Sequence, residues 1–243
     1  MHAANSYLSS IGKLASGSIL SESERTALGF RLRDDARDYY QSALTSFVDG
    51  IRSLSHGFFT WSTVKFYYSV FYALRCRLAL SGDCIFYDGS KPRYITTASG
   101  AKVSSLKGTT HKCVLSRFAA SFPNDFFLSQ DIGTEKPLQW LMERREEVNY
   151  ASSRFSEPGS PDFLSFAART EIRQMLGAYS ADNLYVHDPD HAMVAFPFRL
   201  IKDLRERLRV SNVEPLVQLE TDFLVASTRD RAGIVTALSS LIC

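Results

Sequence analysis

Residues Trp61 to Leu80 read WSTVKFYYSVFYALRCRLAL, a run of almost unbroken apolar and aromatic character with no Gly or Pro. Trp61, Val64, Tyr68, Phe71, Tyr72 and Leu78 fall on one helical stripe at steps of three and four, and Phe66, Tyr67, Val70 and Leu74 cover the neighbouring stripe. A helix that is apolar most of the way round is either a central, buried helix or a membrane span. Lys65, Arg75 and Arg77 exclude the span, because charges inside hydrocarbon are expensive. The stretch predicts the inner helix of an all-α bundle, with one face, marked by Trp61, Tyr68 and Tyr72, left over for a partner.

Outward from this helix the pattern stays helical. Ser21 and Glu24 have the spacing of a capping box and open a helical pattern that runs to about Leu54, with a break expected near Gly29. Gly57 suits the left-handed position that ends it. Cys84 to Ser99 reads as a small hairpin or ordered loop around Asp88-Gly89, and Gly100 to Thr110 as a polar linker. Helices are predicted over Thr110–Phe122, over Pro137 to about Ser153, as one long element from Asp162 to Tyr185, and from Ala195 to Val210. Residues 1–20, Ser- and Gly-rich, form a flexible lead-in or short docking segment. The division predicted is a helical bundle over 21–180 with a hairpin insertion, and a helical extension over 181–243.

The totals bound the function. The 243-residue chain is long enough to bury a core unaided, and its 45% hydrophobic and 22% charged residues are ordinary for a globular protein. A net charge of +2 argues against a strong sequence-independent grip on nucleic acid, though not against a local patch. Cys76, Cys84, Cys113 and Cys243 match no zinc spacing and read as reduced thiols. With no secretory pattern at the N-terminus and no lipidation signal, a cytoplasmic location is expected. No metal or cofactor is expected, and no dinucleotide fingerprint, GxSxG motif or catalytic carboxylate pair stands out.

The candidate chemistry lies on the helix after Pro137. Leu138, Leu141, Met142, Val148 and Ser152 share a face, and Arg145 and Asn149 sit in the middle of it, with Glu146 and Tyr150 at its edge. A guanidinium on an inward face needs partners, since a buried unpaired charge is costly. Two readings are open: a buried ion pair with an Asp or Glu that fixes helix packing, or a phosphate or RNA site, for which the planar fork of Arg is suited. His56 reads as a cation at a helix end. In His187-Asp188-Pro189-Asp190-His191 the Pro makes a turn, which does not converge on one metal ion.

Together, WSTVKFYYSVFYALRCRLAL and MERREEVNYASSRF resemble the HEPN superfamily (higher eukaryotes and prokaryotes nucleotide-binding), over roughly Arg31 to Ala178. The resemblance implies an antiparallel helical bundle, a dimer or heteromeric complex, and a place in prokaryotic defence or toxin–antitoxin systems, with a neighbouring ATPase or nucleotidyltransferase as partner. It implies RNA binding by Arg144 and Arg145 and, in active members, metal-independent RNA cleavage. The family's motif histidine is missing. Arg144 followed by four residues leads to Asn149, and Arg145 followed by four leads to Tyr150. Asn149 cannot act as acid or base, which favours binding and assembly over catalysis by Arg145, Asn149 and Tyr150. His111, at a predicted helix start, could supply the absent imidazole, or serve only as a capping or surface residue.

Overall fold

A computed structural model describes residues 2–151, 153–230 and 233–242; Ser152, expected on the inward face with Arg145, and Cys243 lie outside them. The protein is mostly helical. Helix α1 spans Ala3–Ser10, α2 Glu22–Ser55, α3 Phe59–Leu80, α4 Thr110–Ser121, α5 Pro137–Tyr150, α6 Ser165–Arg169, α7 Ile172–Ala181, α8 Ala192–Val210, α9 Gln218–Ser227 and α10 Thr236–Ile242. Strands β1 (Asp83–Asp88), β2 (Lys91–Thr96) and β3 (Ser104–Ser105) form a small antiparallel sheet, and β4 (Arg229–Asp230) pairs with β5 (Gly233–Ile234).

The antiparallel pair α2–α3 is the frame. α2 begins with the predicted capping box: Glu24 N–H donates to Ser21 Oγ at 3.3 Å and Ser21 N–H to Glu24 Oε2 at 2.7 Å. It ends in a Schellman arrangement, with Gly57 at φ 76°, its N–H on Leu54 O and Phe58 N–H on Ser53 O. No break occurs at Gly29, because one helical glycine costs about 1 kcal/mol, which the packing of a long apolar stripe outweighs. α3 is buried nearly all round, from Phe66 and Tyr67 to Leu74 and Leu78. Apart from Arg77 and Leu80 near its C-terminal end, its incompletely buried residues are Trp61, Lys65, Tyr68 and Tyr72, one stripe along one side. No helix among the described residues is long and apolar enough to cross a membrane.

Several expectations are corrected. Of the two readings of residues 1–20, the flexible lead-in gives way to the docking segment: α1 docks on α2 with Ala4 and Leu8 buried, and Asp35 of α2 accepts from the N–H groups of Ala3 and Ala4 at 2.7 and 3.1 Å. A carboxylate at a helix N-terminus satisfies free amides and complements the dipole. The 100–110 segment is a structured crossing rather than a linker: Val103 is buried, exchanges backbone hydrogen bonds with Gly17 and Ser18, and leads into β3 on the hairpin edge.

The single helix expected over 162–185 is divided into a 3-10 turn (Asp162–Leu164), α6, α7 and a second 3-10 turn (Leu184–His187). Thr170 and Glu171 are extended and separate α6 from α7, and Asp182 is extended and caps the following turn through Leu184 N–H. The residues after 180, expected as a helical extension, are helical over most of their length and pack back on α2 and α3. α8 starts at Ala192, three residues before the expected start, and buries Phe196, Phe198, Leu200, Ile201 and Leu204 against α2 and α3. Tyr40 of α2 donates to the carbonyl of Leu241 in α10 at 2.8 Å.

Candidate functional site

α3, α4 and α5 meet around one tyrosine. α3 carries Tyr67 and Tyr68 side by side and Phe71 about one turn further on. α4 is opened by Thr109, whose hydroxyl accepts from Lys112 N–H, and this places His111 in its first turn. α5 starts at Pro137, whose fixed φ suits a first helical position, and its inward stripe of Leu138, Leu141 and Met142 continues to Arg145.

The side chains converge. His111 Nδ1 lies 2.9 Å from the Tyr67 hydroxyl. The imidazole packs 4.4 Å from the Phe71 ring and 5.5 Å from those of Tyr67 and Tyr68. The Arg145 guanidinium carbon sits 4.9 Å from the centroid of Tyr67 and 5.7 Å from that of Tyr150. Arg145 is 9% exposed. Its ion pair is with Glu146, the next residue, at 3.5 Å, and its buried Nε has no hydrogen-bond partner. Among the described residues no carboxylate from another helix pairs with it. The reading of Arg145 as half of a buried interhelical ion pair is therefore not what the structure contains. The guanidinium is instead held by π faces, which leaves its charge available to an anion.

The electrostatics follow from this packing. Burial pushes the Tyr67 phenol up to about 12, with Arg145 opposing, so the phenol stays protonated at neutral pH. Burial holds His111 below its ordinary value; Arg145 and Arg75 push it the same way and Glu146 opposes them. The imidazole is therefore neutral at neutral pH. Nδ1 is committed to Tyr67, and Nε2 has no hydrogen-bond partner among the described residues.

The other predicted residues are placed as follows. Arg144 turns away: Glu135, Glu143 and Glu147 engage its guanidinium at 3.3, 3.9 and 3.0 Å, and it lies over Trp140. Asn149 is half-buried one turn beyond Arg145, and Tyr150 is 70% exposed at the rim. Trp61, 46% exposed, packs edge-on against Phe155, while Tyr68 and Tyr72 are half-buried. His56 Nδ1 bonds to the carbonyl of Arg52 at the end of α2. His191 meets Tyr179 and an aromatic wall, His187 is buried on Phe126, and among the described residues no group of three ligating side chains could hold a metal ion. Cys76, Cys84 and Cys113 are buried free thiols.

Sequence reasoning missed Tyr67 as a site residue, because it falls within the apolar stripe. The available signal was its hydroxyl, which requires a partner when buried. The fold and cluster define a helical protein with a cationic, aromatic-walled site between three helices. No family model matches the chain, and no curated protein or solved structure matches it either.

Proposed function

We propose that the protein is an RNA-binding, HEPN-like subunit of a prokaryotic defence or toxin–antitoxin assembly, and that its α3–α4–α5 site grips an RNA phosphodiester. One observation carries this reading: Arg145 is buried, stacked on Tyr67 and without an acid from another helix. A phosphate oxygen would compete with the exposed Glu146 carboxylate for the guanidinium, and charge-assisted bonds of that kind are about twice as strong as neutral ones. His111 and the exposed Tyr150 flank the same place. The test is titration of fluorescent RNA with wild-type protein and with Arg145→Met, which keeps the stem and removes the charge. Tenfold or greater weakening in a normally melting variant supports the reading; equal affinity removes it.

A second reading, metal-independent RNA cleavage, has one observation in its favour. The imidazole missing from the α5 motif is brought to Arg145 by α4, neutral and with Nε2 open. With Nδ1–H donating to the Tyr67 oxygen, a neutral imidazole can take the proton of a ribose 2′-hydroxyl at Nε2 as the 2′-oxygen attacks phosphorus and the 5′-oxygen leaves with a proton from water, while Arg145 stabilises the charge that develops. Incubation of RNA with the protein in EDTA separates the two readings: cleavage lost in His111→Asn establishes an enzyme, and intact RNA with retained binding leaves a binding subunit.

A further inference from the structure

α3 carries Lys65, Arg75 and Arg77 and no acidic residue over its whole length. Its open stripe is Trp61, Lys65, Tyr68 and Tyr72, at intervals of four, three and four. A helix rises about 1.5 Å per residue, so the three aromatic rings span roughly 16 Å, the reach of two to three nucleotides in an extended strand. Tyr68 touches His111 edge-on with centroids 5.5 Å apart and Tyr72 with centroids 6.2 Å apart, so the stripe runs directly out of the Arg145–His111 site.

We infer that this stripe is a stacking platform for unpaired bases, so that the site takes a single strand whose phosphate rests on Arg145 and whose neighbouring bases lie on Tyr68, Tyr72 and Trp61. The inference rests on the phosphate reading of Arg145. Rings beside a cation fit a single-stranded nucleic acid because every base has a π face and every linkage a negative charge. A duplex hides those faces. The charge on this side is complementary. Arg145 has no acid from another helix, Lys107 and Lys112 are exposed on either side of the start of α4, and Glu146 is the nearby acid. Lys65 adds nothing, since Asp49 holds its ammonium at 2.8 Å. The hydroxyls of Tyr68 and Tyr72 have no hydrogen-bond partner among the described residues, so the half-buried rings serve no evident polar contact within the chain.

The test compares a single-stranded oligoribonucleotide of about ten nucleotides, an abasic strand of the same length and a duplex of the same sequence, each titrated against the full chain. Wild type is expected to bind the base-bearing strand at least tenfold more tightly than the other two. Tyr68→Leu with Tyr72→Leu, which keeps apolar volume, should lower that affinity to the abasic level and leave abasic binding unchanged. A readout that needs no variant is tryptophan fluorescence: Trp140 is buried, so quenching by the base-bearing strand and not by the abasic strand reports Trp61. Equal binding of base-bearing and abasic strands overturns the platform and leaves the Arg145 reading standing. Equal binding of the duplex also overturns it. Binding of none of the three overturns both. A wild-type dimer in light scattering that the double variant converts to monomer shows that a second copy covers the stripe, and overturns the platform.

Discussion

The Tyr67 hydroxyl and His111 Nδ1, 44 positions apart in sequence, lie 2.9 Å apart and join α3 to the first turn of α4. The same tyrosine presents its ring to Arg145 on α5. One side chain thus joins three helices and sets the placement of His111 relative to Arg145. Tyr67→Phe keeps the ring and removes the hydroxyl, leaving His111 Nδ1 unpaired in a half-buried position. The expected loss is about 1–3 kcal/mol in denaturant unfolding, the cost of an unsatisfied buried partner. An unchanged midpoint would mean that water replaces the hydroxyl.

Arg145→Ala tests whether the guanidinium serves folding or binding. Breaking a buried ion pair costs about 3–5 kcal/mol, because a buried charge is stranded. Here the paired acid is the adjacent Glu146, which is exposed and free to rehydrate. The expected loss is therefore under about 2 kcal/mol, arising from the stem and the ring contacts. RNA affinity should fall at the same time. Urea melts and RNA titrations on one preparation check both, and a loss near 4 kcal/mol would assign Arg145 to the fold.

How much of this was legible follows from the range of each signal. Ser21 with Glu24, Gly57, Asp88-Gly89 and Pro137 act through bonds to near neighbours, so their elements were readable in place. Arg145 was legible as an inward residue from the period of α5. The helical form of α1 and its seat on α2 were not, because its N-terminal amides are satisfied by Asp35, 31 and 32 positions away. The break between α6 and α7 falls at Thr170 and Glu171, with neither Gly nor Pro to announce it. The pairing of His111 with Tyr67 depends on tertiary placement, and the separation of Arg144 from Arg145 depends on Glu135, outside α5. That the apolar face of α8 lies on α2 and α3 was not readable in place, because those helices are more than a hundred positions away in sequence.

Acid should act on binding and on stability in opposite directions through His111. Its value in the free protein lies below the ordinary 6.5, owing first to burial and then to Arg145 and Arg75, with Glu146 opposing. A bound phosphate favours the protonated ring, so the bound-state value is higher than the free one. Affinity for RNA should rise as pH falls through the bound-state value and level off below the free-state value, and His111→Asn should flatten that rise. Stability runs the other way. The unfolded chain takes up the proton near 6.5, before the folded chain does, so the contribution is whole above 6.5 and declines below it. His2, drawn down to about 4 by burial, then by Arg75 and the N-terminus, and His187, lowered by burial, add to the same decline. Asp35 and Asp203 are raised from 3.8 by burial and oppose the loss at lower pH. Urea melts at pH 7.5 and 5.5 should show lower stability at 5.5, and higher stability there would contradict the assignment.

Leu204→Ala should show that the residues after 180 belong to the bundle. Leu204 is fully buried on α8, whose inner face meets α2 and α3. Removing a buried leucine side chain costs about 2–5 kcal/mol, through lost transfer energy and the cavity left behind. A loss in that range with one cooperative transition is expected by calorimetry. A separate early transition would make the C-terminal part its own folding unit.

Gly29 and Gly50 both lie inside α2, and substituting each by alanine should shift stability in opposite directions. Alanine improves a helix interior by about 1 kcal/mol over glycine. At Gly29 a new Cβ meets nothing within 4 Å, so Gly29→Ala should stabilise by about 0.5–1 kcal/mol. At Gly50 the same Cβ would lie 2.7 Å from Cε1 and 2.8 Å from Cδ1 of Phe66 on α3. Phe66 is fully buried and packs against Phe47 with ring centroids 5.6 Å apart, so it has little room to withdraw. Overpacking costs about 1–3 kcal/mol, which exceeds the propensity gain over most of that range. Gly50→Ala should therefore be less stable than wild type in urea melts, by up to about 2 kcal/mol. Equal gains at both positions would show that α2 and α3 do not approach as closely at Gly50 as the Phe66 contact requires.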